Sequence, residues 1–399
     1  MRYAGIDVGS QTHVIAIVGP DGDVMVKPTS FSENAAGYDK LLELLGPPHE
    51  LIVALEATGH YGKNLCAFLR HRAYGVAVIN PIRTNRFAQE NLARAKTDTI
   101  DALGIAHFAL QKTLTPQPPI DTKTAELKEL VLFHERLVQD FTDRVRQLHR
   151  LVDLGFPEFP TLVRTLDSRL ATTILREYPT AAAFDQSCRR RLARLRYDKQ
   201  RRVGPLRARR LVESARSSIG QHHTPAFHER VRYITQDLDR LRDRIDSLKS
   251  DIETIVRDLP LAGLLTSIPG IGPLTAARII AAVEDPARFR SSAAFAAYVG
   301  VVPATRLSGL HRPTRARITS LGNARLRKAL WMPVLSSVRH NPWLRDYYQR
   351  LRQRGKLPKV ALTAVMRKLV TAIYSVAKHK RPFTHPTPGP TGSRRSHPT

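Results

Sequence analysis

The chain has only two cysteines, Cys66 and Cys188, in 399 residues. That is too few for a disulfide framework or a cysteine-rich zinc site, and it points to a reducing, cytoplasmic setting. No run reads as membrane-spanning, and no N-terminal signal segment is recognised. Acidic residues are outnumbered, 35 Asp and Glu against 63 Lys and Arg, which leaves a formal net charge of +28. Such an excess calls for a polyanionic partner, and without a membrane segment nucleic acid is the expected one. A hydrophobic share of 42% is that of a folded protein, and the length allows two or three domains with their own cores.

Among the scarce acids, four fall at positions that local pattern aims inward. Asp7 lies in YAGIDVGS, which reads as a buried strand running into Gly9, and Glu56 ends the apolar strand LIVALE. Asp98 and Asp101, in AKTDTIDALGIA, are three apart at the start of a helical pattern, so both carboxylates share one face. Two strand-borne acids gathered against two helix-borne ones would repel one another, and divalent cations are the usual remedy. Oxygen-only ligands suit Mg²⁺ or Mn²⁺, and two such ions about 4 Å apart stabilise attacking and leaving oxygens in phosphodiester chemistry.

The pattern over residues 1–114 is three meandering strands, YAGIDVG, THVIAIVG and VMVKPTSF, followed by a helix near 34–45, the strand LIVALE, a helix near 61–72 and the strand GVAVINP. This order predicts an RNase H-like (RuvC-type) mixed α/β sheet, in which an Asp in the first strand is where such cores hold metal. After the break TPQPPID the period changes. Leu127, Val131, His134, Val138, Phe141, Val145, Leu148 and Val152 form one heptad seam, and Phe227, Val231, Ile234, Leu238, Leu241, Ile245, Leu248, Ile252, Ile255 and Leu259 a second. A long coiled-coil linker over 121–260 is expected, paired either with itself as an antiparallel hairpin or across subunits. His134 is the odd polar residue of its seam and reads as a register device.

Between the seams lies a helical insertion, about 156–225. Its stretch from Arg189 to Arg216 carries twelve basic residues against Asp198 and Glu213, with Tyr197 as its one aromatic. Arg194, Arg196, Arg201 and Arg202 are therefore candidates for phosphate contact rather than base stacking, against the plainer reading of a solvated face. A mainly helical third domain, 261–383, opens with LLTSIPGIGPLTAARIIAAV, which resembles a helix-hairpin-helix. Gly270 and Gly272 would let backbone N–H groups meet a phosphate there, against the plainer reading of a helix-turn-helix packing unit. The tail 384–399 is rich in Pro, Ser and Gly and reads as disordered.

The second segment with chemical content is YVGVVPATRLSGLHRPTRARITSLGNARLRKAL. By residue pattern Ser308 is one serine in a basic loop with Arg306, His311, Arg312, Arg315 and Arg317. A serine hydroxyl needs help to act as a nucleophile, and arginines beside it would bind a phosphate and offset its developing charge.

Taken together, GIDVGSQTH, LEATGHYG, KTDTIDALGIA, IPGIGPLTA and GVVPATRLSG resemble the insertion-sequence transposases of the one-ten family, over about 1–155 and 226–383. The resemblance implies a RuvC-like domain with metal-binding acids at Asp7, Glu56, Asp98 and Asp101, a coiled coil, and a C-terminal transposase domain with its nucleophile at Ser308. It further implies a covalent phosphoserine link to donor and target DNA, a structured bridge RNA as guide, and dimers assembling to tetramers in which one subunit's serine meets another's acids. The setting implied is bacterial or archaeal and nucleoid-associated. Two features depart from the pattern. Leu307 stands where many relatives have a second small hydroxyl residue, and the basic insertion is larger than the compact family linker, so its role, RNA holding included, is not inherited.

Three other readings compete. A hydrolytic RuvC-like junction nuclease would use the same acids with water and treat Ser308 as incidental. A nonenzymatic scaffold explains the charge but not the acid set. A sugar-kinase or actin-like ATPase, suggested by DVGSQTHVIAIVGPDG, lacks a second Asp-x-Gly phosphate loop downstream.

Overall fold

The structure, a computed structural model, describes residues 1–57, 59–90, 98–118, 121–185, 188–199, 201–304, 317–318 and 321–385, with backbone alone at 98–99, 303–304 and 317. The chain divides into two compact units, Met1–Ile120 and Asp121–Thr399.

The first unit is built from β1 (Arg2–Val8), β2 (Thr12–Val18), β3 (Val24–Ser32), α1 (Ala35–Leu45), β4 (Leu51–Glu56), α2 (Gly62–His71), β5 (Gly75–Ile79), α3 (Pro81–Glu90) and α4 (Asp98–Gln111). The five strands form one sheet in the order β3-β2-β1-β4-β5, antiparallel across β1, β2 and β3 and parallel across β1, β4 and β5. This mixed order is that of RNase H-like sheets. Strand alternation divides its core in two. Ala4, Ile6 and Val8 join Val53 and Leu55 with residues of α1 and α2, whereas Tyr3, Ile52 and Ala54 join Ala106, Phe108 and Ala109 of α4 on the opposite face.

Gly5 sets how closely α4 lies on the sheet. A Cβ there would fall 2.2 Å from the Ala102 carbonyl oxygen and 2.3 Å from the Ala106 amide nitrogen, both helix backbone. Gly5→Ala must push α4 off β1, and a loss of about 3 kcal/mol is expected in urea unfolding. A loss below about 0.5 kcal/mol would show that the helix backs away freely.

The second unit begins with α5 (Thr122–Gly155). Four short helices follow, α6 (Phe159–Leu162), α7 (Arg169–Glu177), α8 (Cys188–Arg194) and α9 (Pro205–Arg216), and then α10 (Pro225–Arg257). Each long helix starts on a side-chain cap, Asp121 accepting from the Thr124 N–H and Thr224 from the Phe227 N–H. They lie antiparallel, with Lys123 paired to Asp258 at 3.1 Å and Arg144 to Asp237 at 3.2 Å. The pairing is therefore within the chain.

The two ends of this helical pair enter different cores. Leu148, Leu151, Val152, Phe227, Val231 and Leu238 pack with α6–α9. Leu127, Val131, Leu248, Ile252 and Val256 pack with the last group of elements. These are α11 (Pro260–Thr266), α12 (Pro273–Val283), α13 (Ser292–Val299), β6 (Pro303–Ala304), β7 (Arg317–Ile318), α14 (Ala324–Ala329), α15 (Trp331–His340), α16 (Pro342–Gln353) and α17 (Pro358–His379).

The heptad seams loosen at the waist, where the first one shifts by a residue and the other waist residues stay packed against the cores. Leu137 is buried where Val138 was expected and is 36% exposed, and Phe141, Val145, Leu241 and Ile245 are only half-buried. Each end is wrapped by its own core, so nothing holds the helices to a 3.5-residue period along their whole length. His134 is buried, with its Nδ1 unpartnered.

Helix α17 bears on the expectation that no run spans a membrane. By length and composition it could cross a membrane, at mean hydropathy 1.5, yet 56% of its apolar window is buried inside the unit. Val365, Met366, Leu369, Val370 and Ile373 make it a core helix.

Candidate active site

The parallel register pairs Ile6 with Leu55, so the next residues, Asp7 and Glu56, sit side by side at the C-terminal ends of two neighbouring strands. Both follow the alternation of Gly5 and Ala54 and therefore face the α4 side of the sheet. Helix α4 runs against β1, as its contacts show. Its early residue Ala102 packs with Val14, the β2 partner of Asp7, while Phe108 and Ala109 lie with Tyr3 and Val18 at the far end. The first turn of α4, which carries Asp101, is thereby brought to the strand ends that carry Asp7 and Glu56. All three acids are partly buried. Asp98 opens the same helix, but its side chain lies outside the described residues.

Glu56 has a partner that sequence reading missed. Thr84 of α3 is buried and donates its hydroxyl to Glu56 Oε1, with the Pro81 carbonyl a second acceptor at 3.0 Å. The available signal was the register of β5, which sets Ile79 opposite Glu56 and so starts α3 beside that carboxylate.

The donor set is carboxylate oxygen, which matches hard divalent cations and offers nothing soft for zinc or copper. Among the described residues, however, no three His, Cys, Asp or Glu side chains converge closely enough to hold an ion. Asp7, Glu56 and Asp101, the three with described side chains, lie on one side and at one end of the sheet without closing on a common point.

Ser308, Arg306, Arg312 and Arg315 lie outside the described residues, as does the side chain of Arg317. The flanks of their segment are joined by a two-stranded ladder, Pro303 with Ile318 and Ala304 with Arg317. Two arginines just beyond it are structural. Arg327 donates to the Val299 carbonyl at 3.0 Å, and Arg325 pairs with Glu135, which also lies 3.6 Å from Arg278. Burial, more than the attraction of Glu135, decides the Arg278 guanidinium and pulls it below its usual range.

At the α11–α12 turn the two glycines differ. Gly270 has φ +103° and is seated so tightly on α15 that a Cβ would fall 2.2 Å from Ser337 Oγ. Its need for glycine is thus accounted for by packing. Gly272, the residue before α12, is exposed with nothing within 4 Å of a built Cβ. Arg194, Arg196, Arg201 and Arg202 are all exposed on or next to α8 and the turn after it.

Comparison with known proteins agrees with this arrangement. Residues 4–157 match a DEDD family described as transposase, and residues 262–349 match the transposase IS116/IS110/IS902 family. An insertion element IS110 protein of 43.6 kDa from Streptomyces coelicolor is 28% identical over 94% of both chains. An IS116 protein of 44.8 kDa from Streptomyces clavuligerus is 27% identical over 97% of both. The pilin gene-inverting protein of Moraxella bovis is 24% identical over 96% of this chain and 97% of its own. Among solved structures, T. thermophilus RuvC in complex with a Holliday junction substrate aligns with 29% of this chain and 99% of its own, at 16% identity and a TM-score of 0.23, too low to argue from. With two matches in their order along more than half of the sequence, and relatives aligned almost end to end, the chain belongs to the IS116/IS110/IS902 family of transposases.

Proposed function

We propose that this chain cuts and rejoins DNA as the transposase of a mobile insertion sequence, through a covalent phosphoserine at Ser308 with divalent-metal assistance from Asp7, Glu56, Asp98 and Asp101. The observation that carries the reading is the placement of Asp7 and Glu56 on adjacent strand ends, with Asp101 on the helix turn brought to them. Mg²⁺ or Mn²⁺ bound there would supply charge that offsets the build-up on the leaving oxygen.

In the first step the Ser308 hydroxyl gives up its proton and its oxygen bonds to the scissile phosphorus. The bond from phosphorus to the 3′ oxygen breaks, and that oxygen is released as a hydroxyl. Attack by a 3′ hydroxyl of another strand reverses the exchange and restores the serine. Arg306, Arg312, Arg315 and Arg317 bind the phosphate in this reading, and the backbone at Gly270 and Gly272 holds a neighbouring one. A bridge RNA chooses donor and target. The paired long helices act as the coiled-coil linker, 261–383 is the transposase domain, and the working unit is a dimer that assembles to a tetramer.

The test is to mix the purified protein, its element's noncoding RNA and Mg²⁺ with nicked, end-labelled target DNA. A slow-migrating product that protease removes is expected. Cut DNA with no such product would make the chain a hydrolytic nuclease that uses water in place of Ser308. Thr84→Val should reduce cleavage about tenfold, because a hydrogen bond to a charged group contributes roughly 1.5–3 kcal/mol and Glu56 would lose its aim. Cleavage within twofold of wild type in single-turnover rates would show that Thr84 only packs.

A further inference from the structure

The positive charge of the second unit is not uniformly answered. On its helical insertion, the arginines that face α10 are matched. Arg169 lies 2.5 Å from Asp243, Arg176 pairs with Asp239, and Arg242 of α10 reaches the same Asp239 at 2.5 Å. On α8, α9 and the segment between them the pairs are Arg191 with Glu177 and Arg209 with Glu213. Arg194, Arg196, Arg201, Arg202, Arg207 and Arg210 are exposed, and among the described residues none has a carboxylate within 4.0 Å.

Between α8 and α9 the described residues on either side of the turn pair as a small β-hairpin. The Val203 N–H donates to the Leu195 carbonyl at 3.0 Å, the Tyr197 N–H donates to Arg201 at 3.2 Å, and Arg196 and Arg202 face one another across an antiparallel bridge. Val203 is buried in the core of the insertion and Leu195 packs against it, so the hairpin stands on a fixed base. Like charges directly opposite on paired strands destabilise the pair. An anion lying across them removes that penalty, and guanidinium forks match phosphate geometry. Tyr197, the one aromatic of the hairpin, is half-buried, so no platform for unstacked bases is offered. The insertion also falls between the two segments that match the family, 4–157 and 262–349.

We propose that α8, the hairpin and α9 form a clamp for the sugar-phosphate backbone of a double helix, binding without regard to base sequence. The proposal rests on the reading that the chain handles nucleic acid, and it assigns a duplex to a module which that reading leaves without a role. DNA and RNA duplexes share the chemistry.

The test uses the full-length chain, wild type against Arg196→Gln/Arg201→Gln/Arg202→Gln, with Arg136→Gln, an exposed arginine of α5 paired with Asp140 outside the clamp, as the paired-arginine control and thermal melting to verify folding. Fluorescence anisotropy measures binding to a DNA duplex of arbitrary sequence, an RNA duplex of the same length and an unstructured single strand over a salt series. The triple variant is expected to lose duplex affinity at least about tenfold and to have a log–log salt slope shallower by about 3, with single-strand binding within about twofold. Arg136→Gln should behave as wild type. Greater loss on the DNA duplex assigns the clamp to substrate, and greater loss on the RNA duplex assigns it to a guide stem. Unchanged duplex binding, or equal loss on duplex and single strand, overturns the clamp alone. Absence of wild-type binding to all three overturns the nucleic-acid reading as well.

Discussion

Asp7→Ala is expected to lower DNA strand cleavage by about a thousandfold or more while leaving the thermal midpoint within about 2 °C. The two halves of that result have one cause. Asp7 lies beside Glu56 at adjacent strand ends, with the first turn of α4 brought to them. At the end of its strand and only half-buried, Asp7 carries little of the packed core, whereas its loss removes a ligand from the proposed metal-holding set. The experiment pairs single-turnover cleavage with thermal melting and with duplex binding. Cleavage kept within tenfold would mean that the acids at this edge do not carry the chemistry. A fall in melting midpoint matching the fall in activity would mean that Asp7 is a structural residue of β1.

Ser308→Ala should abolish the protease-sensitive DNA adduct and, with it, strand exchange, because no other hydroxyl stands beside it in Arg306-Leu307-Ser308-Gly309. Comparison with Asp7→Ala separates the roles. Ser308→Cys offers a different nucleophile in the same place and would restore a small amount of adduct if position is what matters. Both acid and serine variants should bind DNA normally, since neither removes a cation. If Ser308→Ala cuts as wild type does and neither protein forms an adduct, water is the nucleophile and the serine is one more residue of a basic loop.

The strands that carry Asp7 and Glu56 were legible because a central strand buried on both faces has a distinctive apolar run, and an acid at its end breaks that run. The side of the sheet on which they lie needed more. It follows from Gly5, whose missing side chain admits α4, and a glycine within a strand shows nothing about which helix will arrive. Thr84 escaped notice because its contact with Glu56 comes through the parallel register of β4 and β5, which no short motif encodes.

Gly270 shows a requirement that the motif did not reveal. Sequence pattern makes that glycine a backbone approach to phosphate, and the structure adds a packing reason for glycine there, because Ser337, far along the chain on α15, fills the space of a Cβ. The first seam shifts at its middle for a related reason. Period alone predicts a continuous stripe, but Leu137 and Val138 exchange places once different cores pull on the two ends of α5.

Those two ends have a mechanical meaning. A helix of 34 residues is about 50 Å long, and α5 and α10 are locked side by side by pairs near one end and near the middle. The hairpin is therefore a ruler that fixes both the reach and the azimuth of the insertion relative to the core around α17. Adding seven residues to each helix at the waist would extend that reach by about 10 Å and keep the heading within about 20°. Adding two would lengthen it by only about 3 Å but swing the insertion by about 200°. Evolution of this hinge-free strut can change distance in heptads, while any other length change turns the basic hairpin to face a different direction.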